Sequence, residues 1–449
     1  MFDKIISFTR EKSEYISENS FIIKNLDNII LFFIVTTLIS TLFCSTDTIG
    51  FLSLIVIFLT AIKLFIQKDK IAKTNALDIC LLIYFMFVII SLAGSTLFYL
   101  SLKGFLKTCT YLGFYLTMVH FLNSNRNKII TVLLTIAGLV SFESIYAIFQ
   151  NTIPTNTNLT WQDVSYLRPE EVMTRVYGTL QPYNPNLLAG FLIVCIPVIY
   201  GICAYCLSKK HYKSGIISLI LSAICSWAII CTGCRGAYLA LLAILFGIIL
   251  ISAKFLWQNY KKIYLSVLGA ICSLSAIAIL SLQSVRMRFL SIFIMRQDSS
   301  NSFRFNVYQS SLKMFADNWL LGIGCGNQNF REIYGLYMKT GFDALSCYNI
   351  FLETAVESGI FALAAFIGFL YILFAKSIKF IKNSENIYDV ILISTAILSI
   401  IGVMVHGLVD TVFFRPQIQI IFWIMCAVLR VTLFEEEEKQ QISFTADTK

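Results

Sequence analysis

Apolar residues recur along the chain in runs of about 20, separated by short polar stretches. As α-helices, runs of that length cross roughly 30 Å of hydrocarbon. A bilayer interior leaves no backbone polar group unpaired, so helices are what such runs must form. The pattern predicts an all-α, polytopic membrane bundle of about twelve spans, near residues 28–46, 50–66, 77–98, 104–122, 129–150, 186–207, 215–233, 236–252, 263–283, 350–375, 388–410 and 416–434. Around this membrane domain (28–434) lie an N-terminal segment, 1–27, and an acidic tail, 435–449, whose polarity predicts disorder. The N-terminal segment is charged throughout and lacks the apolar core and small-residue cleavage site of a signal peptide. An interfacial amphipathic helix and a frayed tail are both compatible with it.

The rhythm breaks twice, at about 151–185 and about 284–349. The second break, between the ninth and tenth spans, is too long for a passive connector. Its stretch SFRFNVYQSSLKMF sets Phe303, Val307, Leu312 and Phe315 at rough helical spacing, which predicts a helix lying against the bundle. Gly322, Gly324 and Gly326 then alternate, predicting a turn whose backbone approaches something closely.

Composition agrees with a membrane protein: 57% hydrophobic, 14% charged, mean hydropathy +0.76. The net charge of +9 would suit nucleic acid, but the lysines stand in short clusters beside spans and read as topology signals and headgroup contacts. One alternating set of connections is lysine-rich (Lys68, Lys70, Lys73; Lys209, Lys210, Lys213; Lys254, Lys261, Lys262; Lys376, Lys379, Lys382). The other is nearly free of lysine and holds Arg168, Arg175, Arg235, Arg286, Arg288, Arg296, Arg304, Arg331 and Arg415. Basic residues in short loops mark the cytoplasmic side, so the lysine set faces inward, and an even span count puts both termini there. The arginines then face outward, where topology does not need them. Their planar forks suit bidentate capture of phosphate or carboxylate.

Most of the 13 cysteines lie inside apolar runs and behave as small apolar residues. Cys231 and Cys234 form a C-x-x-C with no second pair to complete a metal site. An oxidising compartment would allow Cys325 and Cys347, both in the long outer segment, to pair. The chain has no Walker A sequence, no HExxH, no G-x-S-x-G and no clear repeat, so it has no visible means of using ATP.

Several residues could carry chemistry, each with a plainer reading beside it. Arg235, flanked by Gly233 and Gly236 at the mouth between two spans, reads as a site residue or as a side chain snorkelling to headgroups. Arg304, with Tyr308 one turn on, stands on the predicted outer helix and could equally be a solvated face. Arg175 precedes Asn184, Pro185 and Asn186, an Asn-Pro-Asn that could bind ligand or only cap a span. His406 and Asp410, four apart, would share one helix face as a buried clamp, a proton carrier or a substrate orienter, with Asp410 pairing to Arg415 or a loop arginine. Glu353 and Glu357, also four apart, could balance the arginines or act as a base. Glu143 is a lone carboxylate inside a span and should face the bundle interior.

The landmarks YNPNLLAGF, CTGCRGAYLA, FRFNVYQSSLKMFADNWLLGIGCGNQNF, YNIFLETAVESG and HGLVDTVFF, in that order, resemble the O-antigen ligase and polymerase superfamily over about residues 175–416. The resemblance implies a helical membrane bundle in the bacterial inner membrane with a large periplasmic loop over the active site. It implies a glycan donor on undecaprenyl diphosphate, attacked at its anomeric carbon by a hydroxyl of a glycan or lipid acceptor, with the lipid diphosphate leaving. Neither metal nor nucleotide cofactor is implied. The family's RGA arginine matches Arg235. Its R-x-x-x-L arginine matches Arg304, with Tyr308 in the leucine position. Arg175 and Arg288 would assist. The family's histidine, ten residues intervening before a glycine, falls at Tyr348 when counted back from Gly359. Tyrosine, with an ordinary pKa of about 10, is a poor base near neutrality. Glu353, Glu357 or His406 would have to replace it, or the chain does not perform the ligase reaction. The run TRVYGTL…NPNLLAG and the missing histidine also resemble the superfamily's bicarbonate-transporter branch, which implies transport of a small anion as the alternative.

Overall fold

The structure is a computed structural model and describes residues 20–67, 74–152, 174–281, 283–290 and 299–447. Among these residues it is all-helical. After a one-turn helix, Phe21–Lys24, come α1 (Leu26–Phe43), α2 (Thr46–Gln67), α3 (Ala76–Gly94), α4 (Phe98–Ser124) and α5 (Lys128–Thr152). Next are α6 (Pro185–Ser208), α7 (Tyr212–Cys231), α8 (Arg235–Ser281), α9 (Gln283–Leu290), α10 (Ser299–Asp317) and α11 (Asn327–Tyr334). The chain closes with α12 (Ile350–Asn383), α13 (Ile387–His406), a 3-10 turn at Val412–Phe414, and α14 (Pro416–Asp447).

Ten of these helices are long and apolar enough to cross a membrane. They account for ten of the twelve predicted spans. The other two predicted segments are also helical. One is α4, whose first half carries Lys103 and Lys107. The other is the second half of α8, which continues beyond a break at Tyr260. The chain is thus a multi-pass membrane protein. Helix α14 runs on to Asp447, where the sequence predicted a disordered tail. Its EEEEKQQ stretch is rich in good helix formers and extends a helix already nucleated.

Packing follows from the residues available. Helix α6 and the Pro416–Phe434 part of α14 form the centre, with Phe191, Leu192, Ile196, Phe422, Met425 and Leu429 fully buried. The outer helices turn Phe58, Leu82, Ile216, Leu242, Phe246 and Tyr371 away from the protein, as a lipid-facing surface requires. Inside the apolar helices Thr37, Ser53, Ser222 and Thr432 each donate a hydroxyl to the carbonyl four residues back.

Lysine-bearing and arginine-bearing connections fall at opposite ends of the same helices. Helix α6 starts beside Asn186 and ends at Lys209; α13 starts by Asn386 and ends at His406. At the lysine end Lys63 pairs with Asp27 (2.7 Å), Arg430 with Asp78 (2.9 Å), and Lys254 caps α12 through the Ile381 and Ser384 carbonyls. Lys68, Lys70, Lys73, Arg168, Arg296 and residues 1–19 lie outside the described residues.

At the other end, the long segment docks where α12 is broken. Gly359 has φ +82°, and the break exposes backbone groups that the loop pairs. Ile323 N donates to Val356 O, Gly324 N to Glu357 O, and Ile360 N to Trp319 O. Gly322, Gly324 and Gly326 all have positive φ, as the alternating glycines predicted. Ser95 and Ser101 donate to the carbonyls of Ile323 and Cys325, which ties the segment to the end of α3 and to α4, and Ser91 on α3 donates to the Glu357 carbonyl on α12. The predicted loop helix is α10, with one correction to its face. Val307, Ser310, Ser311 and Met314 are buried, whereas Leu312 is 54% exposed. Three- and four-residue steps from Phe303 through Val307 lead to Met314, and Leu312 falls on the opposite side.

Candidate functional site

Four arginines from separate segments converge at the arginine end. Arg175 leads the stretch before α6, Arg235 opens α8, Arg288 lies on α9 and Arg304 on α10. The turn joining α7 to α8 organises two of them. Arg175 Nε donates to Thr232 O (2.7 Å) and Arg288 Nε to Gly233 O (2.8 Å). Gly233 has φ +64°, and a Cβ there would stand 3.1 Å from Arg175 Cγ, so glycine is what allows the crossing. Arg235 is 7% exposed. Burial, then the charges of Arg175 and Arg235, push the Arg288 guanidinium down to about 10. Arg175 is lowered as well, first by burial.

A polar relay crosses this cluster. Arg175 Nη2 donates to Asn186 Oδ1 (2.5 Å), Asn186 Nδ2 donates to Asp410 Oδ2 (2.8 Å), and Arg304 Nη2 lies 3.7 Å from the same oxygen. Asp410 Oδ1 accepts from the Thr411 and Val412 amides, which fixes the carboxylate. The partner of Asp410 is therefore the loop arginine and not the exposed Arg415. Arg304 also contacts Ser300 (3.3 Å) and lies 5.8 Å from the Tyr348 ring centroid. Among the described residues its Nε is buried with no hydrogen-bond partner. Tyr308 donates to Tyr348 O and Leu408 O, fastening α10 over the site.

The Asn-Pro-Asn motif divides its labour. Asn184 caps α6 through the Asn186 amide (2.8 Å), while the Asn186 side chain joins the relay. Upstream, Glu143 is fully buried, as expected, and accepts from Thr179 N (2.6 Å) and Oγ1 (2.8 Å), anchoring the stretch that carries Arg175.

His406 and Asp410 do not share a helix face. His406 is the last helical residue of α13, and the chain turns at Gly407 before reaching Asp410. His406 instead contacts Cys234 Sγ through Nε2 (3.4 Å), close beside Gly190 and Gly236. Burial alone would raise the Cys234 thiol, but His406 outweighs it and brings the pKa down from 9.0 to about 7. Sequence reasoning missed this pair because the C-x-x-C pattern drew attention to Cys231. Cys325 and Cys347 are free, so they form no disulfide. Arg331 pairs with Asp343 (2.6 Å) on the exposed loop surface.

Glu353 and Glu357 lie on the first turns of α12. Glu353 is 1% exposed and accepts from Cys347 N (3.1 Å); Glu357 is half-buried and accepts from Gly326 N (2.8 Å). Both line a narrow cleft with Lys107, Gln419 and Trp423. Among the described residues no arginine lines that cleft. Tyr348 stands between the two regions in a left-handed conformation (φ +54°), its ring edge-on to Phe303. Burial raises its hydroxyl above the ordinary value.

No curated protein matches the chain. Residues 220–367 match the family model described as O-antigen ligase. The match takes in Arg235, Arg288, Arg304, Tyr348, Glu353 and Glu357; Arg175, Asn186, His406 and Asp410 join them only through the fold. The matched segment and the helical membrane architecture together support a place in the O-antigen ligase superfamily.

Proposed function

We propose that the protein transfers a glycan from undecaprenyl diphosphate to an acceptor hydroxyl at the outer face of a bacterial inner membrane, with both termini cytoplasmic. The observation that carries this reading is the convergence of Arg175, Arg235, Arg288 and Arg304 from four segments. Packing guanidinium groups together is unfavourable unless anions join them. A diphosphate brings several oxygens suited to their forked N–H groups.

The leaving group gains negative charge as the glycosidic bond breaks. Fixed guanidinium groups stabilise that charge without reorganising. Asp410 occupies part of the cluster, so the donor enters by displacing Arg304 from it. The unpartnered Nε of Arg304 supplies one donor ready for a phosphate oxygen. The guanidinium groups can supply the positive charge that a metal supplies elsewhere.

Purified protein in lipid nanodiscs, given an undecaprenyl-diphosphate glycan, tests the reading. Release of undecaprenyl diphosphate is expected, and Arg235→Ala and Arg304→Ala should each reduce it by about 10²–10³-fold. No release by the wild-type protein with any acceptor would refute it.

A further inference from the structure

Trp319, Leu320 and Leu321 stand together in the turn between α10 and the alternating glycines, and all three are exposed, at 52%, 42% and 38%. Large apolar residues exposed side by side mark a contact surface rather than a turn that faces water. The backbone of this turn is fixed against two membrane-crossing helices. Trp319 O accepts from Ile360 N on α12, and a Cβ on Gly359 would overlap Leu320 O. A Cβ on Gly94, the last residue of α3, would stand 3.7 Å from Leu321 Cδ1. Gly322 N donates to Asn318 O and closes the turn.

The two helices set the depth of the turn. Helix α3 has 19 residues and is about 28 Å long at about 1.5 Å per residue, close to one hydrocarbon thickness. It starts at the lysine end, where Asp78 pairs with Arg430, so Gly94 lies near the hydrocarbon boundary at the arginine end. Helix α12 gives the same level, because from Lys376 at its lysine end back to Gly359 is about 26 Å. Around the turn these helices present apolar side chains. Ile90 and Phe361 are exposed, and Phe361 stacks on Phe87 with ring centroids 5.1 Å apart. The turn is therefore continuous with the lipid-facing surface of α3 and α12. Tryptophan favours this boundary, where its ring meets acyl chains and its indole N–H meets headgroups.

We infer that Trp319, Leu320 and Leu321 form a lipid anchor, seated at the junction of acyl chains and headgroups in the leaflet at the arginine end. The anchor holds the C-terminal end of α10, the helix that carries Arg304. The bilayer then helps the bundle to set where the loop helix lies. This inference is independent of the glycan-transfer reading.

Fluorescence of the full chain in nanodiscs of brominated phosphatidylcholine tests the anchor, with bromine placed either near the headgroup end or near the terminal methyl of the acyl chains. The Trp319 signal is the wild-type emission less that of Trp319→Phe, a conservative change at an exposed position. Bromine near the headgroup end should quench that signal by about twofold, and more strongly than bromine near the terminal methyl. A signal that neither lipid quenches, as water or a second copy of the chain at this face would give, overturns the proposal. So does stronger quenching from the methyl end. Labelling with a hydrophilic maleimide, located by peptide mass spectrometry, gives a second measurement. In nanodiscs Leu320→Cys should label about tenfold more slowly than Glu332→Cys, an exposed position on α11. Equal labelling rates overturn the anchor.

Discussion

Arg304 Nη2 lies 3.7 Å from Asp410 Oδ2, and this contact joins the long loop to the membrane bundle at the centre of the arginine cluster. Both side chains are largely buried, at 19% and 6% exposure. On the proposed reading Asp410 competes with a phosphate oxygen of the donor for Arg304. Asp410→Asn keeps an oxygen for the Thr411 and Val412 amides but removes the charge. Undecaprenyl diphosphate should bind this variant about tenfold more tightly, a gain of about 1.4 kcal/mol. Titration in nanodiscs measures it, and equal or weaker binding counts against competition between carboxylate and donor.

The turn at Gly233 sets two arginines at once. Gly233→Ala would force a side chain into a left-handed conformation and against Arg175, whose Nε lies 3.2 Å from the added carbon. The backbone term alone costs about 1–2 kcal/mol. Thermal unfolding should show lowered stability, and donor binding should weaken with it. Normal stability and binding would mean that the turn does not position Arg175.

Glu143 acts at a distance through Thr179. Glu143→Ala leaves the half-buried Thr179 amide without its acceptor, at a cost of about 1 kcal/mol. The stretch carrying Arg175 should loosen, and its backbone amides should exchange hydrogen faster. Unchanged exchange over residues 174–184 would show that other contacts hold the stretch.

The Cys234–His406 contact predicts a pH dependence. Cys234 titrates at about 7 in the folded chain, below its ordinary 9.0. Such a thiol contributes most stability above its unfolded value, and the contribution drains as pH falls through about 7. The melting temperature should therefore fall from about pH 9 to about pH 6, and fall less in Cys234→Ser. Parallel curves for the two proteins would rule out the thiolate.

Much of the fold was legible because membrane spans announce themselves by length. The spans, the loop helix and the glycine turn all follow from local patterns. Relationships set by tertiary contact were not legible. The Leu312 spacing looked helical, yet Met314 faces the core, because α10 is oriented by Phe303 and Val307. The four-residue interval between His406 and Asp410 lost its meaning when α13 ended at His406. Asn186 looked like a cap; its role as a bridge needs Arg175 and Asp410, which lie 11 and 224 positions away. The same holds for the cleft, whose walls come from α3, α4, α12 and α14. The Gly-Cys-Arg-Gly run at 233–236 was the one local signal that pointed to several of these contacts.

Turnover of an undecaprenyl-diphosphate glycan by the purified chain, compared among wild type, Arg235→Ala, Arg304→Ala and the surface control Arg331→Ala, tests the central claim most directly. Wild type and Arg331→Ala should release undecaprenyl diphosphate at similar rates, with both cluster variants slower by about 10²–10³-fold. Equal rates in all four proteins would contradict a shared guanidinium site for the donor.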